Sequence, residues 1–166
     1  MRNLSMMTDL YQLTMMYGYY KSDMLDNKAV FDMFYRQTSA VTHYAIMAGV
    51  EQLVDYINNL HFDDEDIEYL RSLNLFDEGF LALLKNLHFT GDIEAVPEGT
   101  VVFSGEPLVR VTAPIVEAQL VETALLNIIN HQTIIATKAS RVALAAKGDK
   151  VLEFGLRRAQ GPDAGI

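Results

Sequence analysis

The closing stretch Val151-Leu-Glu-Phe-Gly-Leu-Arg-Arg-Ala-Gln-Gly-Pro-Asp-Ala-Gly-Ile166 decides how this chain is read. A short apolar strand is expected over Val151 to Phe154, followed by a loop holding two adjacent arginines and three glycines. An aromatic at the carboxyl end of a strand offers a flat face to a planar ring. The neighbouring guanidinium groups suit a multiply charged phosphate, because arginine keeps its charge and donates in a fork. Gly155, Gly161 and Gly165 let backbone approach a ligand closely or take positive φ. Parallel α/β sheets and barrels build their sites from such loops, at the carboxyl ends of their strands. A four-residue apolar run is usually buried on both faces in such a sheet. One strand makes no barrel, so the chain reads as the front part of a longer protein. The strand's open edges are expected to leave it mobile or paired with a second copy.

Working outward, the other residues support a folded unit. A chain of 166 residues buries a real core, and half of these residues are hydrophobic with only 21% charged. The formal charge of −9 argues against general nucleic-acid binding, which needs a basic surface. It also means that a polyphosphate has to be held by locally clustered cations, against the overall field. The absence of cysteine excludes disulfides, thiolate metal sites and a cysteine nucleophile within these residues. With no signal peptide visible, an intracellular, cytoplasmic setting is expected. Apolar runs fall far short of the roughly 18 residues of a membrane span.

Thr8 or Asp9 is placed to cap a helix running to about Tyr20, with Gln12 completing a partial capping box. Ala29 to Arg36 is dense in aromatic and branched residues and is expected to be a strand. Val50, Leu53, Val54, Ile57 and Leu60 recur at helical spacing, which predicts an amphipathic helix over 48–60. The acidic run Asp63 to Asp66 suits the start of a short helix through Leu73, and Asp77 caps another with Phe80, Leu81, Leu84 and Leu87 inward. From Phe89 to Ile115, turn signals at Pro97-Glu-Gly99 and Ser104-Gly-Glu-Pro107 predict a compact, sandwich-like β unit of hairpins. Long helices follow over about 116–147, with Val121, Ala124, Leu125 and Ile128 inward, continued by Ile135, Ala139 and Val142. A bend or break is expected at the polar stretch Asn130-His-Gln-Thr133, and Gly148 ends the helix. The expected class is α+β. An amino-terminal domain over 1–148 precedes the first strand of an incomplete α/β barrel over 149–166.

Several side chains invite a chemical role. Tyr11 lies on the first helix, where tyrosine ordinarily packs half-buried, and Asp9 serves equally well as a cap. His131 reads as a hydrogen-bonded residue at the helix break, and His43, His61 and His88 lack metal-ligand spacing. The acidic run at Asp63 lacks an EF-hand pattern and reads as a solvated helix start. Lys138 and Arg141 fall on one helical turn, within reach of a phosphate or simply at the surface.

Three segments, in order, carry a family likeness. Thr8-Asp-Leu-Tyr-Gln-Leu-Thr-Met15, Val30-Phe-Asp-Met-Phe-Tyr-Arg36 and Glu153-Phe-Gly-Leu-Arg-Arg-Ala-Gln-Gly-Pro-Asp163 together resemble nicotinate phosphoribosyltransferase. The likeness covers essentially the whole chain, as the amino-terminal portion of a longer enzyme. It implies formation of nicotinate mononucleotide from nicotinate and phosphoribosyl pyrophosphate, with magnesium and ATP hydrolysis as accompaniments. It implies that Phe154 stacks on the pyridine ring and that Tyr11 closes over the base from a neighbouring subunit in a homodimer. Arg157 and Arg158 are implied as phosphoribosyl-phosphate contacts, and Arg36 as a cation near the pyrophosphate. Adjacent arginines on a strand-like segment point opposite ways, so Arg157 is expected on the phosphate and Arg158 in a structural or pyrophosphate role. The family's phosphorylated histidine and its carboxylate-gripping residues fall in motifs absent here, so no catalytic residue is assigned and these 166 residues alone are expected to be inactive.

Three other readings are open. Glu122-Thr-Ala-Leu-Leu-Asn127 faintly resembles the quinolinate enzyme, so a sister phosphoribosyltransferase acting on quinolinate or nicotinamide would share this architecture, although the Phe-Gly-Leu-Arg-Arg loop favours nicotinate. A lipoyl-like carrier would need a lysine at a hairpin tip, and none occurs between Lys85 and Lys138. A pure dimerisation domain would differ only in whether Arg157 and Tyr11 ever meet a ligand.

Overall fold

The computed structural model describes residues 3–36 and 43–165. Helix α1 (Leu10–Lys21) leads into strand β1 (Lys28–Phe34) and the short β2 (Ala45–Ile46). Three helices follow, α2 (Val50–Asn58), α3 (Asp64–Ser72) and α4 (Glu78–Lys85). Strands β3 (Asp92–Ala95), β4 (Val101–Val102) and β5 (Pro107–Pro114) then precede one long helix, α5 (Ile115–Ala146). The architecture is α+β, with a small antiparallel sheet against the long helix.

Local chemistry accounts for the short helices. Asp63 accepts from the Asp66 amide while Asp66 reaches back to the Asp63 amide, a complete capping box. Asp77 accepts from the Phe80 amide and starts α4. Phe80, Leu81, Leu84 and Leu87 are buried as their spacing predicts. Phe80 sits in an aromatic cluster with Tyr17, Tyr20 and Phe76. At α1 the capping box does not form. Asp9 makes no side-chain cap, and the Gln12 side chain turns inward instead.

The β region departs from the expected unit of local hairpins. β5 is the central strand of a three-stranded sheet ordered β1-β5-β3, and β4 pairs with β2. β5 therefore recruits a strand from the start of the chain, in antiparallel register from Lys28 opposite Pro114 to Met33 opposite Val109. Its alternation explains this. Val109, Val111 and Ala113 face the core, while Arg110 faces outward and forms a two-pronged ion pair with its cross-strand neighbour Asp32, at 2.8 and 2.9 Å. Gly91 is required where β3 begins, because a Cβ there would collide with Ala113 and the Thr112 carbonyl.

α5 runs unbroken through Asn130-His-Gln-Thr133, against the expected bend. The one buried polar residue of that stretch, Thr133, is satisfied without one. The Thr133 hydroxyl donates to the Ala48 carbonyl at 3.2 Å and accepts from its amide at 3.3 Å. One turn on, the Thr137 hydroxyl accepts from the Ile46 amide at 2.9 Å. The inward stripe thus passes from Ile129 to Thr133 and Thr137, and Ile135, Ala139 and Val142 lie exposed rather than continuing the core. Lys147 and Gly148, both at positive φ, end the helix next to the expected glycine. Beyond them Val151 to Phe154 is exposed and joins no ladder, so the expected strand is not formed. These four residues supply one strand's half of a ladder, and among the described residues no neighbour supplies the other.

Candidate substrate site

Three features hold the residues able to do chemistry. The first is a cleft of about 900 Å³ between β1 and α5. Its walls are apolar (Phe31, Met33, Leu125 and Ile129 among them), which leaves the few charged groups at its edges to set its electrostatics. Arg36, Lys138 and Arg141 are its cations, and Asp32 and Glu122 its carboxylates. Both carboxylates are already engaged. The Arg110 hydrogen bond holds the Asp32 carboxyl below its ordinary range, and Glu122 accepts from Gln12 at 2.9 Å. Arg36 lies over the Phe34 ring at 5.7 Å and Arg141 over the Tyr44 ring at 5.3 Å. Hydrogen bonds from Ser140 and then Arg141 lower the Tyr44 hydroxyl from its usual value. In a chain of charge −9, this is a local gathering of positive charge over an apolar floor.

The second feature is the carboxyl-terminal loop. Leu156–Arg158 forms a single 3-10 turn rather than the expected strand-like segment. The Arg157 guanidinium donates to the Phe154 carbonyl at 2.9 Å and lies 6.0 Å from the centre of the Phe154 ring. Phe154 is 79% exposed, and Arg158 is exposed beside it. An aromatic face and a guanidinium are thus held side by side, open to solvent.

Tyr11 is the third element. Its ring is half exposed on α1, and its hydroxyl accepts from Gln12 at 2.7 Å. Desolvation, followed by the charges of Glu122 and Asp9, keeps this phenol above its ordinary range. Arg36 lines the cleft, and Tyr11 is joined to it through Glu122. Phe154, Arg157 and Arg158 do not line it, and among the described residues Tyr11 and Phe154 share no ring contact.

Of the histidines, His61 and His88 each bond through Nδ1 to the carbonyl two residues back, and His131 lies exposed on the unbroken α5. Among the described residues no three His, Asp or Glu side chains converge. Asp32 and Glu122, the carboxylates of the cleft, are both committed to hydrogen bonds. Sequence reasoning missed the inward role of Gln12 and its partners Gln119 and Glu122. The available signal was two polar residues three apart beside Val121 and Ala124, the inner face of α5.

Comparison with known proteins places this architecture. The family model described as the nicotinate phosphoribosyltransferase (NAPRTase) N-terminal domain matches residues 6–130. A nicotinate phosphoribosyltransferase of Mycobacterium tuberculosis is 45% identical over 160 residues, 96% of this chain and 34% of that protein. Its Bacillus subtilis counterpart is 44% identical over 164 residues, 99% of this chain and 34% of that one. The crystal structure of human nicotinic acid phosphoribosyltransferase superposes with a TM-score of 0.86 at 37% identity, covering 95% of this chain and 32% of that one. Nicotinate-nucleotide pyrophosphorylase from Pyrococcus furiosus, at 22% identity and a TM-score of 0.70, shares the fold. This chain spans about a third of the length of the relatives it matches. Motifs, fold and relatives agree, and the chain belongs to the nicotinate phosphoribosyltransferase family.

Proposed function

We propose that these residues serve an enzyme that joins nicotinate to phosphoribosyl pyrophosphate, releasing pyrophosphate and forming nicotinate mononucleotide in coupling with ATP hydrolysis. The single observation that carries the reading is the pairing of the exposed Phe154 ring with the Arg157 guanidinium in a glycine-rich loop, on a domain of this family. Departure of pyrophosphate builds positive charge on the ribose carbon, so the chemistry calls mainly for positioning and charge complementarity. Phe154 stacks on the pyridine ring. Arg157 holds the phosphate, with Arg158 structural or directed to the pyrophosphate, and Arg36 brings a cation to the pyrophosphate from the cleft. Tyr11 of a second copy forms the other plate, so the working unit is a homodimer with shared sites. The domain boundary falls at Gly148, where α5 has ended in two residues of positive φ. No membrane-spanning helix occurs among the described residues, and a cytoplasmic setting is part of the proposal.

The test is a full-length enzyme supplied with labelled nicotinate, nicotinamide or quinolinate together with phosphoribosyl pyrophosphate and ATP. Label should pass to the mononucleotide from nicotinate alone. Turnover confined to either other base would replace this reading with that of a sister enzyme. The 166-residue chain by itself should show no turnover.

A further inference from the structure

A connected set of polar side chains lies between α1 and α5 that neither capping nor apolar packing explains. Gln12 is fully buried, and its amide is committed on both sides. Its Oε1 accepts from Gln119, and its Nε2 donates to the Tyr11 hydroxyl at 2.7 Å and to Glu122 Oε2 at 2.9 Å. Gln119, also buried, donates to the same Glu122 oxygen at 3.5 Å and accepts from the Tyr19 hydroxyl at 3.4 Å. The charge of the nearby Glu122 carboxylate adds to desolvation in keeping the Tyr11 phenol above its ordinary range. A flipped Gln12 amide would set its carbonyl against the Glu122 carboxylate and its Nε2 against that of Gln119, so the partners dictate one orientation. Buried polar networks of this kind are costly unless fully satisfied, and what they supply in return is fixed geometry. The element they fix is the one solvent-facing ring in the set, that of Tyr11, whose hydroxyl end is pinned while half of its surface stays open.

We propose that Gln12, anchored by Glu122, is a positioning residue that holds the Tyr11 hydroxyl and thereby orients its ring for stacking on a planar heteroaromatic ligand. The proposal rests on the reading of Tyr11 as a base-stacking plate. A ring ordered in advance loses less freedom when the ligand arrives, so the benefit falls on binding rather than on the chemical step. Glu122 also lines the cleft, so the carboxylate that steadies the plate belongs to the wall beside the cations.

The experiment is a double-mutant cycle between Gln12→Met and Tyr11→Phe in the full-length enzyme, read as KM for nicotinate and kcat. Each single variant should raise KM about fivefold, as expected for one lost hydrogen bond, with kcat little changed. The double variant should be no worse than either single, because both remove the same interaction. Additive losses would assign Gln12 a purely structural role and overturn the proposal. Should Gln12→Met fail to fold, Glu122→Ala takes its place in the cycle. Glu122→Gln, which keeps an acceptor for the Gln12 amide, should return KM to within about twofold of the parent. A KM raised as far by Glu122→Gln as by Glu122→Ala would assign the effect to charge and overturn positioning by hydrogen bonds. Tyr11→Ala separates the two layers. If it leaves KM unchanged, the plate reading itself fails. If it raises KM while Gln12→Met does not, only the positioning proposal fails.

Discussion

At the scale of single residues, polar atoms decide more of this structure than their number suggests. Thr137 illustrates the point, since its hydroxyl accepts the Ile46 amide and donates to the Thr133 carbonyl. Thr137→Val keeps the shape but leaves a part-buried amide unpaired, and should lower stability by about 1–3 kcal/mol in denaturant unfolding. Carboxylates set the acid limit. Asp32 and Glu78 are held below their ordinary range by arginine hydrogen bonds, and Asp63 and Asp77 chiefly by backbone amides of the helices they cap. A group depressed in the fold contributes stability above its unfolded value and loses it as pH falls through the folded one. The denaturation midpoint should therefore hold from pH 7 to 5 and fall below about pH 4. Asp32→Asn should reduce that fall, and an identical acid profile in the variant would contradict the assignment. The cap at Asp77 and the acidic start of α3 at Asp63 were legible in the sequence because both are local to a few residues. The inward turn of Gln12 was not, since its partners are more than a hundred positions away.

At the scale of elements, the same contrast between near and distant partners recurs. The short helices announced themselves through periodicity. The pairing of β1 with β5 did not, because β1 carries only one buried side chain, Met33, and nothing local states which strand it joins. The polar stretch in α5 invited a break for a related reason, as the partners of Thr133 and Gln132, Ala48 and Gln52, lie far back in the chain. Continuity of α5 has a sharp consequence. Gln132→Pro should destabilise the domain by about 3 kcal/mol or more, because proline removes a helical hydrogen bond and clashes with the preceding turn. Tolerance of proline there, measured by thermal or denaturant unfolding, would restore the break.

At the scale of the whole molecule, the terminal loop was the most informative segment of the sequence and is largely exposed in the structure. Leu152 is 82% exposed and Phe154 79%, so the loop's aromatic and guanidinium are arranged by their own local bonds. The family was legible from three short motifs, whereas the cation cluster of Arg36, Lys138 and Arg141 appeared only once β1 lay beside α5. The central claim is that Phe154 of one chain and Tyr11 of another flank the same base. Subunit mixing tests it directly. Full-length Tyr11→Ala and Phe154→Ala chains, each nearly inactive alone, are dissociated together and reassembled. Random reassembly of a two-fold dimer with shared sites should recover about a quarter of parental activity, since half of the dimers are mixed and each of those carries one intact pair. If the mixture stays as inactive as its components, the two rings do not meet across a dimer, and the account is wrong.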